Sequence, residues 1–243
     1  MSAKTISTKA IDLQDRLIVT LLAKTMKEAT KFVKLLKKDI TMFEVGLPTY
    51  TALGPDVIKM IRHEGAQVFL DLKYHDIPST VERAVAMATK LKVSMLTVHA
   101  SGGQEMLARS VQAALEAAGS KTEKPKILAA TVLTSMDTMA DIGIAFEVRD
   151  QVVRLAKMSQ KAGVDGVIAS PLEIKPIREA CGGKFLIATT GVRPFGSDAQ
   201  DQRRIASPVM AMAAGADYLI VGRPISQAKQ PEEVVRKIIR EIS

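Results

Sequence analysis

Apolar residues fall into eight short runs along the chain: Leu17–Leu22, Met42–Val45, Val68–Leu72, Met95–Val98, Ile127–Leu133, Gly166–Ala169, Phe185–Ala188 and Tyr218–Val221. Most are continuous rather than alternating, the pattern of strands covered on both faces. Helical segments lie between them. Thr25 and Glu28 have capping-box spacing ahead of a stretch containing Phe32, Val33, Leu35 and Leu36, and Ser79 and Glu82 repeat that spacing after Pro78. Pro231, followed by two glutamates, predicts the start of the last helix. Gly65, Gly163 and Gly215 stand just before strands, where helix C-termini are expected.

Strand and helix alternate eight times without a linker or a break in composition. This predicts an α/β fold closed into a (β/α)8 TIM barrel, a single domain over residues 1–243 with residues 1–15 as an N-terminal extension. An open doubly wound sheet is the competing arrangement, but no GxGxxG opens the first strand-to-helix turn. Two of the connections that follow strands are long and polar, Thr134–Glu147 and Arg193–Ser207. In barrels the loops after strands build the active site.

Composition narrows the picture. Hydrophobic residues make up 47% of the 243, aromatics only 4%, and Trp is absent. The core is therefore aliphatic, as the layered interior of a parallel barrel requires. The formal net charge of +8 invites a nucleic-acid reading. The lysines are scattered, however, and no aromatics interleave with them, so no nucleic-acid partner is expected and the charge is assigned to a solvated helix ring that attracts anionic metabolites. The lone Cys181 rules out an intrachain disulfide and fits a reducing compartment. No apolar run has the length of a membrane span, and residues 1–16 lack the apolar centre of a signal peptide. A soluble, cytoplasmic protein without a membrane partner is expected.

The segment richest in chemistry is Phe69-Leu-Asp-Leu-Lys-Tyr-His-Asp-Ile-Pro78. Asp71 and Lys73 are two apart on a strand, so both side chains face one way. At the barrel mouth they would form a desolvated acid–amine pair that holds the Lys charged, ready to protonate a developing carbanion. A surface ion pair is the ordinary alternative for such spacing. His75 and His99 read as structural, hydrogen-bonded histidines before they read as catalysts. Met136 and Met139 read as loop packing, and Cys181 as a small apolar residue near a helix end.

The string DLKYHDIPST resembles the signature of bacterial orotidine 5′-monophosphate decarboxylases. Thr97–Gly103, Thr131–Met136, Gly191–Pro194, Asp201–Arg203 and Val221–Ile225 resemble further blocks of that family, in order and at matching spacing, from about residue 15 to the C-terminus. The resemblance implies that Lys73 donates the proton to C6 of the pyrimidine and that Asp71 sits near the departing carboxylate. It implies that Asp76 is contributed across a homodimer interface. Ser79, Thr80 and Thr134 would contact substrate, while Arg193, Gln202, Gly222 and Arg223 would hold its phosphate. Arginine forks and a glycine that admits backbone N–H groups suit that task. A phosphorylated small molecule is thus the expected partner, with no cofactor and no bound metal.

Several positions depart from the family pattern. Leu22 stands where the family has a ribose-binding Asp, Glu44 where it has a Lys, and Thr190 where it has Pro; Ala130 and Ala188 are small where Val is usual. The family's Lys-Asp-Lys-Asp array is neutral, whereas Glu44, Asp71, Lys73 and Asp76 carry −2 when all are ionised. Crowded carboxylates raise a pKa or recruit a cation. Four readings stay open: a decarboxylase of strongly reduced activity; Mg²⁺ bound by Glu44 and Asp71, as in the related 3-keto-gulonate-phosphate decarboxylases, against which Leu22 speaks; a repurposed or designed barrel with Glu44 as a buried general base; and a phosphate-ligand-binding barrel without catalysis. Glu44 is expected to have a pKa above that of a free Glu.

Overall fold

The computed structural model describes residues 11–194 and 204–243. Eight parallel strands close on themselves in sequence order: β1 Leu17–Thr20, β2 Met42–Gly46, β3 Gln67–Tyr74, β4 Met95–His99, β5 Lys126–Ala130, β6 Gly166–Ala169, β7 Leu186–Thr189 and β8 Tyr218–Val221. Each of the eight predicted runs overlaps one strand. Two runs overshoot: Leu21 and Leu22 lie beyond β1, and Thr131–Leu133 beyond β5. There the chain has turned into the mouth, where Thr131 bonds Ile168 O through both its N–H and its hydroxyl.

The helices follow their local chemistry. Thr25 and Glu28 form the expected capping box at the head of the helix Met26–Leu36. The second expected box does not form. Pro78 occupies the first helical position, so Ile77 becomes the N-cap and Ser79 lies inside the helix Pro78–Lys90. Gly65, Gly163 and Gly215 end helices with φ of 83°, 87° and 105°, the left-handed region that suits glycine. Pro231 opens the helix Pro231–Glu241. Among the described residues no helix is long and apolar enough to cross a membrane.

Two apolar clusters hold the barrel. The larger packs the outward faces of the strands against the helix ring through residues such as Val19, Val45, Leu70, Leu96 and Val167. The smaller fills the interior with Ile18, Met42, Phe69, Met95, Leu128, Ile168, Ala188, Tyr218 and Ile220. Ile11 packs on this inner cluster, and Lys126 beneath it reaches the Tyr218 hydroxyl. The strand period of two then fixes what stands above the plug. Glu44 follows Met42, Asp71 follows Phe69, Thr97 follows Met95 and Ala130 follows Leu128, and register aligns Thr20 with Glu44 across β1 and β2. Polar side chains thus sit on an apolar floor.

The mouth is braced by a buried ion pair. Arg204 Nη1 meets Glu173 Oε1 at 2.7 Å, with side-chain exposures of only 8% and 5%. The same guanidinium donates to Leu133 O at 3.0 Å. Two residues on, Ala206 bridges Val192, and Arg193 N–H donates to Ala206 O at 2.9 Å. Arg204 therefore ties the segments after β5, β6 and β7 together. Removing one partner of a buried pair strands the other's charge. Glu173→Ala is expected to lower the unfolding free energy by about 3–5 kcal/mol, and Glu173→Leu with Arg204→Met to recover most of it. Denaturant titration checks this; a single variant within about 1 kcal/mol of the parent contradicts it.

Candidate active site

At the C-terminal ends of the strands lies a cavity of about 390 Å³. Thr20, Leu22, Glu44, Asp71, Lys73, Ala130, Thr134, Thr190, Arg193, Gly222 and Arg223 all line it. Of the residues singled out in the sequence, it gathers Glu44, Asp71, Lys73, Thr134, Arg193, Gly222 and Arg223. Asp76, Ser79 and Thr80 do not line it. Asp76 is exposed on the turn after β3, its carboxylate accepting from Ile77 N–H at 2.6 Å, and Ser79 and Thr80 lie in the first turn of the following helix. Gln202 lies outside the described residues.

Lys73 reaches the pair geometry by an unexpected route. Strict alternation would place Asp71 and Lys73 on one face, but the pairing of β3 with β4 is irregular between Leu70 and Tyr74. Lys73 has φ 48°, a left-handed conformation that costs a non-glycine residue of the order of 1 kcal/mol. Its backbone N–H donates to Thr97 Oγ1 at 2.8 Å, and its ammonium sits 2.6 Å from Asp71 Oδ2. Thr97 Oγ1 in turn donates to Asp71 Oδ1 at 2.7 Å. One threonine on β4 thus fixes both the bent backbone of Lys73 and the carboxylate it faces.

Glu44 lies buried at the mouth. It is 6% exposed and accepts a short hydrogen bond from the Thr20 hydroxyl. Burial, then the charge of Asp71 and a hydrogen bond shared with it, push its pKa well above the ordinary carboxyl range; Thr20 and Lys73 oppose this with less effect. Asp71 goes the other way. Burial works against its charge, but Lys73, with hydrogen bonds from Glu44, Lys73 and Thr97, outweighs burial and holds its pKa below the usual value. Two carboxyl groups share a hydrogen bond only when one of them carries a proton. The two shifts point in opposite directions, so of this pair Asp71 ionises first and Glu44 last. The ammonium of Lys73 pairs with Asp71 rather than Glu44.

The remaining lining is mixed. Leu22, Ala130, Val132, Leu133, Ile168 and Ile220 contribute apolar surface to the cavity. Arg193 and Arg223 line it from the segments after β7 and β8. Gly222 faces Thr20 so closely that a Cβ there would stand 3.1 Å from Thr20 Oγ1, so a larger residue would press on the hydroxyl that binds Glu44. Next to the mouth, His75 and His99 stack with ring centroids 5.1 Å apart. His99 Nδ1 accepts from Ser101 N–H at 3.2 Å, and burial, then His75 and Lys73, lower its pKa. This is the structural histidine expected there. Among the described residues no three His, Cys, Asp or Glu side chains are grouped to hold a metal ion. Sequence reasoning passed over Thr20, Thr97 and the Glu173–Arg204 pair, because nothing in a Thr or an isolated ion marks its partner across the barrel.

Comparison with known proteins identifies the family. Residues 10–238 match the orotidine 5′-phosphate decarboxylase / HUMPS family. Orotidine 5′-phosphate decarboxylase of Geobacter sp. (strain M21) is 47% identical over 229 residues, covering 93% of this chain and 95% of that protein. The enzyme of that name from Moorella thermoacetica is 47% identical over 233 residues, covering 94% and 92%. The crystal structure of orotidine 5′-phosphate decarboxylase from Lactobacillus acidophilus superposes with a TM-score of 0.82 at 35% identity, covering 94% of this chain and 99% of that one. With a family match over almost its whole length, a closed barrel and an Asp–Lys pair at the mouth, the chain belongs to the orotidine 5′-phosphate decarboxylase family.

Proposed function

We propose that this barrel decarboxylates orotidine 5′-monophosphate to uridine monophosphate, at a strongly reduced rate, with Lys73 as the proton donor. The observation that carries the reading is the ammonium held 2.6 Å from Asp71 at the floor of the cavity. Loss of CO2 breaks the bond to the ring carbon and leaves its electron pair there. The Lys73 ammonium supplies the proton that fills it, and solvent restores the lysine. Asp71, kept ionised by Lys73 and Thr97, places a negative charge where the departing carboxylate would lie and favours its expulsion. Arg193 and Arg223, with Gln202 and the backbone at Gly222, would hold the phosphate, and Thr134 the base.

Two features weaken this activity. Leu22 offers no hydrogen bond to a ribose hydroxyl, where a carboxylate would contribute roughly 1.5–3 kcal/mol. Glu44, when ionised, adds negative charge beside an anionic substrate. Because its pKa is raised, Glu44 is neutral at low pH and ionises as pH climbs through that elevated value. Affinity for the anionic substrate should therefore fall with rising pH in this window. Glu44→Lys with Leu22→Asp is expected to raise decarboxylation by about 100-fold or more, two charge-assisted contacts being regained. An assay of orotidine monophosphate turnover with the parent and the double variant tests this; equal rates, or no turnover by either, would sink the reading.

The subunit arrangement belongs to the same proposal. Asp76 lies outside the cavity of its own chain and is exposed, with Ile77 beside it 65% exposed. A homodimer in which this turn enters the partner's mouth, together with Ser79 and Thr80, would use both. Sedimentation at micromolar concentration should give a dimer, and a monomer alone would contradict it.

A further inference from the structure

Decarboxylation gives Glu44 no task. The group is nonetheless built into the site: Thr20 on β1 donates to one of its oxygens, the side chain is buried, and it lines the cavity. Leu22, Ala130, Ile168 and Ile220 add apolar surface to the same cavity. A carboxyl group desolvated by burial, as Glu44 is at 6% exposure, is a stronger base, once ionised, than a carboxylate in water. We propose that Glu44 makes this pocket a proton-abstracting site for flat, uncharged heteroaromatic rings that carry an acidic C–H beside an N–O bond.

The occupant follows from the surroundings. The charged groups lining this cavity are Asp71 and Lys73 from β3, Arg193 after β7 and Arg223 after β8. An anionic ring would meet both Glu44 and Asp71 on ionisation, so a neutral ring is favoured. The step is redox-neutral. The Glu44 carboxylate takes the ring proton, and the C–H electron pair becomes a new C–N π bond. The N–O bond breaks, and its pair leaves on oxygen. The Lys73 ammonium donates a hydrogen bond to that oxyanion while remaining paired with Asp71. Glu44 then returns its proton to water.

This proposal stands apart from the decarboxylase reading, because the two demand opposite forms of Glu44. The decarboxylase works with it protonated, whereas the base must be ionised. A suitable probe is 5-nitro-1,2-benzisoxazole, whose ring opening releases a coloured nitrophenolate. The rate over the buffer reaction should rise with pH as a single group titrating above the ordinary carboxyl range. Glu44→Gln, which keeps the shape, should lower it by about 100-fold, and uridine monophosphate should inhibit competitively. Thermal unfolding of Glu44→Gln checks that the variant folds; if it does not, the pH profile and inhibition of the parent decide. A rate equal in parent and Glu44→Gln, a profile flat with pH, or activity untouched by uridine monophosphate that calorimetry shows to be bound would overturn the proposal. Failure of uridine monophosphate to bind at all would instead count against the decarboxylase reading, leaving the pH profile and Glu44→Gln to judge this one.

Discussion

The carboxyl pair formed by Glu44 and Asp71 sets the electrostatics of the whole site. Two acids at the mouth of one barrel cannot both shed their protons cheaply, because water is largely excluded there. The contest is decided by neighbours. Asp71 has the Lys73 ammonium and the Thr97 hydroxyl, while Glu44 has a single hydroxyl from Thr20. Of the two, Asp71 is therefore the readier to ionise and Glu44 the readier to keep its proton.

The scaffold makes that contest unavoidable. Period-two alternation along parallel strands stacks a polar layer directly on the apolar plug of Ile18, Met42, Phe69, Met95 and Leu128. A polar group two residues above the plug rests on hydrocarbon and has only its neighbours in the layer to satisfy it. The same geometry explains the bend at Lys73. A regular strand would continue its side chain along the wall, whereas the left-handed residue lets Thr97 take its N–H and aims the ammonium at Asp71.

Much of this was legible in the chain. Continuous aliphatic runs marked the eight strands because both faces of each are buried. Leu21 and Leu22 were read as strand because apolarity, not hydrogen bonding, is what a sequence displays; Leu22 instead hangs 45% exposed at the mouth. The spacing of Ser79 and Glu82 suggested a cap, but Pro78 at the first helical position moved the boundary two residues earlier. Asp71 and Lys73 were found by spacing, although the bulge that joins them has no signature. The raised pKa of Glu44 was anticipated from its apolar strand and its carboxylate neighbour. The Glu173–Arg204 brace was invisible, since its partners are 31 residues apart and meet only through the closure of the barrel.

The central claim is that Glu44 keeps its proton when Asp71 has lost its own. Carbon-13 labelling of the glutamate side-chain carboxyls, with assignment by Glu44→Gln, allows that proton to be followed directly as pH is raised. The account predicts a Glu44 resonance that titrates well above the free value of about 4.3 and moves downward in pKa when Asp71 is replaced by Asn. A Glu44 carboxyl that titrates at or below the free value, or that is indifferent to Asp71→Asn, would contradict it.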